Sequence, residues 1–67
     1  MLRYTYTEQD LQRYEHLVYE ARERVLRQQA IAQQVGSIEA YSVLDNMMST
    51  LMLYERERLR ILEELSK

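Results

Sequence analysis

The nine residues Ala32-Gln-Gln-Val-Gly-Ser-Ile-Glu-Ala40 decide how this chain folds, because they hold the only glycine in a sequence that has no proline. Gly36 suits the left-handed residue that closes a helix, a backbone conformation that costs glycine little. Ser37 suits the N-cap of a second helix, with Glu39 in its first turn near the positive end of the helix dipole. Two helices therefore meet at a turn of one or two residues, which forces them antiparallel.

Outward from the turn, good helix formers dominate both flanks. Towards the N-terminus, apolar or small residues recur in alternating steps of three and four: Leu11, Tyr14, Val18, Ala21, Val25, Gln28, Ala32 and Val35. This is a heptad seam on one helix face. Thr7 can cap its start, with Asp10 three residues on and Tyr6 and Leu11 at the two positions of a hydrophobic staple. The first helix is thus expected over residues 8–35. The preceding Tyr4-Thr5-Tyr6-Thr7 alternates like a strand, but a single short strand has nothing to pair with, so residues 1–7 are read as an extended arm.

The second helix is expected over residues 38–65. Its seam reads Ala40, Leu44, Met47, Leu51, Tyr54, Arg58, Ile61 and Leu65, flanked by Tyr41, Met48 and Leu62. Within it, NMMSTLMLYERERLR (residues 46–60) passes from an almost uncharged run into alternating glutamate and arginine. The run is too short to span a membrane, which takes about 20 apolar residues. The charges that follow sit at helical spacings, Glu55 with Arg58 and Glu57 with Arg60, as on an ordinary solvated face. Each helix has about 28 residues and is roughly 42 Å long.

With the turn centred near Gly36, residues that face each other have numbers summing to about 72. Ala21 then lies opposite Leu51, Val25 opposite Met47, Val18 opposite Tyr54, and Leu11 near Ile61 and Leu62. Two polar residues interrupt the seam. Gln28 is expected near Leu44 and Asp45, and Arg58 is expected to stack on Tyr14 and pair with Glu15 or Glu55, the three fixing register.

Apolar residues also lie off the seam: Leu17, Tyr19, Leu26 and Ile31 on the first helix, and Val43, Met48, Met52, Leu53, Leu59 and Leu62 on the second. A two-helix layer cannot bury both of its faces. A chain of 67 residues falls below the size, about 70–80 residues, at which one core suffices. With no cysteine it has no disulfide to compensate. The expected fold class is all-α: an antiparallel two-helix hairpin dimerising into a four-helix bundle, with itself as first partner and another protein as a second. Met47, Met48 and Met52 are read as gap-filling within the bundle.

Chemistry finds little foothold. His16 lies opposite the seam, no Glu-x-x-His occurs for a di-metal carboxylate site, and a single glycine excludes a glycine-rich phosphate loop. No catalytic residue, cofactor or metal is expected. Nine Lys/Arg against eleven Asp/Glu give a net charge of −2. Glu20 and Glu23 are placed to neutralise Arg24 and Arg27, which disfavours RNA as a partner. The opening MLRYTYTEQD turns polar too soon for a secretory signal, so a soluble, cytoplasmic protein is expected.

Two resemblances bear on the architecture. The run VLDNMMSTLMLYERERLRILEEL, residues 43–65, resembles the C-terminal half of a group of short uncharacterised bacterial helical-hairpin proteins. The matching positions are Gly36, Val43 and Leu44, Met47, Leu51, Leu53 and Tyr54, Arg58, and Ile61, Leu62 and Leu65. Met48 departs from that pattern, standing where a glutamate is usual, so this second helix is greasier. The resemblance implies a hairpin and no mechanism. In length and two-helix layout, though in no residue motif, the chain is also similar to the plasmid repressor of primer family, which implies an RNA-binding regulator as the alternative reading. A small subunit or antitoxin-like partner of another chain is the second alternative.

Overall fold

The computed structural model describes residues 5–67. Two α-helices make up the fold: α1 spans Glu8–Val35 and α2 spans Ile38–Leu65, each of 28 residues. No strand occurs among the described residues. Of the expected arm, residues 1–4 lie outside the described residues.

Local chemistry sets the helix ends. The Thr7 hydroxyl accepts from the Asp10 N–H at 3.2 Å while the Asp10 carboxylate accepts from the Thr7 N–H at 2.9 Å, a reciprocal capping box. Two N–H groups that the first turn would leave orphaned are satisfied in this way. At the other end of α1, Gly36 takes φ 67° and its N–H donates to the Ala32 carbonyl at 2.8 Å. Ser37 returns to extended backbone, and its Oγ accepts from the Ala40 N–H at 3.2 Å. The chain reverses within two residues.

The helices pack as one layer, with Cα extents of 49 × 21 × 14 Å. Its core is the heptad seam. Val18, Ala21 and Ala32 on α1 and Leu44 and Ile61 on α2 are buried. Leu11, Tyr14, Leu17, Val25 and Gln28 stand half-buried on α1, as do Met47, Leu51, Tyr54, Arg58 and Leu62 on α2. Among the described residues, two of the five that are buried are alanines, and only Ile61 is a large side chain withdrawn completely from water. Val35 and Leu65, at the seam's ends, are exposed.

Gly36 is the one described residue with positive φ, and a Cβ built on it meets nothing within 4 Å. Replacement by alanine therefore costs only backbone strain. Gly36→Ala is expected to lower stability by about 1 kcal/mol in urea titration, and an unchanged midpoint would mean that the turn is not held left-handed.

Candidate functional site: two faces of a hairpin

Cross-helix polar contacts fix how α1 and α2 sit together. The Gln28 side chain donates from Nε2 to the Ala40 carbonyl at 3.0 Å, making Gln28 a register residue in the seam. Tyr14 and Tyr54 meet edge to face, with ring centroids 6.3 Å apart and an interplanar angle of 71°. The Tyr6 hydroxyl donates to Glu57 at 2.7 Å and ties the end of the arm to α2.

The contacts scatter to either side of the expected register: Tyr14 meets Tyr54, nearer the turn than Arg58, while Arg22 meets Glu55, farther from it than counting gives. The Ala40 carbonyl that Gln28 bonds is directed along α2 towards Leu44, the expected neighbour. The correction falls on Arg58. With Tyr54 against Tyr14 and the Glu55 carboxylate held by Arg22 at 2.8 Å, Arg58 neither stacks on Tyr14 nor pairs with Glu15 or Glu55. It lies in a shallow groove with Glu15, Val18, Tyr19 and Arg22. Its Nε is buried without a hydrogen-bond partner. Glu57 and Arg60 do approach each other, at 3.9 Å.

A hairpin layer has two broad faces, and the structure distinguishes them. On the first, a groove of about 270 Å³ runs along the seam. Leu17 and Ala21 from α1 and Val43, Met47 and Tyr54 from α2 give it apolar walls, and Glu20, Arg24, Asn46 and Thr50 rim it. On the second face the Arg22–Glu55 ion pair bridges the two helices. Tyr19 and Leu26 lie within about one turn of Arg22, and Met52 and Leu59 within about one turn of Glu55. All four are exposed.

Ile31 and Met48, expected off the seam among the self-associating residues, stand outside the intrachain core at 47% and 46% exposure. Among the described residues no group of three or more His, Cys, Asp or Glu is placed to hold a metal, and no helix is long and apolar enough to cross a membrane. His16 contacts Glu20, one turn along α1. Comparison with protein-family models, with curated proteins and with solved structures finds no match to this chain. What the fold and its faces define is a class by architecture: an all-helical hairpin with apolar surface on both sides.

The sequence locates the seam, but it does not reveal which flanking residues share a face. The Arg22–Glu55 pair, 33 residues apart in sequence, identifies the second face and is invisible to helical periodicity. Arg58 yields a direct check on its own role. A partially buried guanidinium with an unpaired Nε carries a desolvation cost without compensation, so Arg58→Met should leave stability unchanged or raise it by up to about 1 kcal/mol. A loss larger than that in chemical denaturation would show Arg58 to be a stabilising anchor.

Proposed function

We propose that this hairpin is a non-enzymatic interaction protein that self-associates, two copies forming a four-helix bundle, and acts through protein–protein contact. The observation that carries the reading is surface area. A folded monomer of 8.2 kDa is expected to expose about 4,500 Å², whereas this chain exposes 5762 Å². The excess, roughly 1,200 Å² per chain, is of the size that stable interfaces remove from water, about 600–1,000 Å² per partner.

The character of that surface supports the same conclusion. Among the described residues twelve large apolar side chains are exposed, including Tyr41, Val43, Met48 and Leu53 on α2. Burial of apolar area contributes about 25 cal/mol per Å², and a single layer leaves that contribution unrealised. A second hairpin laid on one face makes the two-layer arrangement that helical domains adopt. Only one face of each copy is consumed, and the other remains for a different protein.

RNA is a weaker candidate for that partner. Arg22, Arg24 and Arg60 each approach a carboxylate, at 2.8, 3.7 and 3.9 Å, Arg24 meeting Glu20 as expected while Arg27 makes no ion pair with Glu23, and acidic residues outnumber basic ones, eleven to nine. Phosphate binding draws on unbalanced positive charge.

Sedimentation equilibrium at micromolar concentration is expected to give twice the 8.2 kDa chain mass. A folded species of single-chain mass across that range would contradict self-association.

A further inference from the structure

We infer that the second copy seats in the groove between Leu17, Ala21, Val43 and Met47, and that it does so with its hairpin turn at the opposite end of the bundle. Each copy's α1 then lies antiparallel over the other's, and Glu20 of each pairs with Arg24 of the other. The inference rests on the self-association proposed above and adds to it the face, the direction and the residues that set them.

The choice of face follows from how the two sides are already used. On the far side, the Arg22–Glu55 pair at 2.8 Å spans the hairpin. Glu15 and Arg22 line that side's groove from α1, so a second layer there would have to cover charges that already have partners or lie among polar neighbours. On the near side the groove is open and its walls are apolar. Of the charges at its rim, Arg24 is loosely held, 3.7 Å from Glu20, with side chains 64% and 42% exposed, and Glu20 also contacts His16 one turn back on α1. An exposed pair one helical turn apart contributes only a little to stability, so little is lost when its members change partners.

The direction follows from symmetry. In a twofold interface, if residue i touches residue j of the partner, then j touches i. Glu20 and Arg24 straddle residue 22, and α1, running Glu8–Val35, has its middle at residues 21 and 22. A twofold axis crossing α1 at that point sets Glu20 against the partner's Arg24 twice over, while the two helices overlap along their full length. The same axis crosses the groove whose α2 wall carries Met47 and Thr50.

The competing arrangement puts both turns at one end and stacks α1 over the partner's α2. Glu20 and Arg24 would then face what lies across their own groove, namely Val43, Asn46 and Thr50, none of which carries charge. Apolar contact forms in either stacking. The charges match in only one, and such matching is what fixes orientation between surfaces that are otherwise merely greasy.

Two measurements on the full chain test this. Glu20→Arg and Arg24→Glu, each alone, place like charges together at two symmetric points, and each should weaken self-association about tenfold or more. Mixed in equal amounts, the two variants should recover association as a heterodimer. The arginine introduced in one variant then meets the glutamate introduced in the other, and the unaltered Arg24 of the first meets the unaltered Glu20 of the second. The chain has no cysteine, so Gln34→Cys carries a single spin label near the turn. Labels on two copies should stand roughly 35–40 Å apart if the turns are at opposite ends, and within about 20 Å if they share an end.

A short label distance, or variants that associate as the native chain does alone and mixed, overturns the inference while leaving self-association intact. A native chain that stays monomeric at every concentration instead removes the reading on which the inference stands.

Discussion

Two helices in contact can hide only the strip along which they touch. That geometric limit governs the rest of this structure. Each helix is a cylinder about 10 Å across, and a hairpin of two such cylinders is one layer with solvent on both sides. The seam here is continuous from Leu11 to Ala32 and from Ala40 to Ile61, yet it buries only five side chains, two of them alanines. The remaining apolar residues fall on the flanks, where closure of the hairpin does not reach them. Self-association is the proposed answer to that surplus, and the groove over Ala21 and Met47 is the open, apolar-walled face that it would cover.

Local interactions hold the hairpin's shape more than its stability. The capping box at Thr7 and Asp10, the left-handed Gly36 and the Ser37 cap set where each helix begins and ends. Gln28, bonded to the Ala40 carbonyl, fixes how far one helix slides along the other. A part-buried amide that finds its acceptor in only one register penalises every other register by an unmade hydrogen bond, about 1–3 kcal/mol. The Arg22–Glu55 pair is partly exposed on both sides and is worth less, since solvent screens it. Its value is to occupy one face. Arg58 contributes in neither way, with its Nε buried and unbonded.

The helices and their caps were legible in the sequence because each is a local matter. A glycine where φ must be positive, a serine after it and a threonine three residues before an aspartate act through bonds spanning three or four residues. The middle of the seam was legible too, since the three-four spacing is a property of one helix alone, while Val35 and Leu65 at its ends are exposed. The partner of each long side chain was not legible. It depends on which of several chemically similar neighbours a side chain meets across the hairpin: Tyr14 meets a partner nearer the turn than counting gives, and Arg22 one farther from it. The expected stack and ion pair of Arg58 failed for the same reason. The division of flanking residues between two faces was likewise hidden, for it needs a contact linking residues as distant as Arg22 and Glu55.

The claim on which the account turns is that folding and association are one event. Concentration dependence of unfolding tests it most directly, since a chain stabilised by its own copies gains stability by mass action and a solitary one does not. The urea midpoint should climb steadily with protein concentration, each hundredfold rise contributing about 2.7 kcal/mol per dimer. A midpoint that stays fixed from nanomolar to high micromolar concentration would mean that the lone hairpin carries its exposed apolar faces unaided, and would contradict the account.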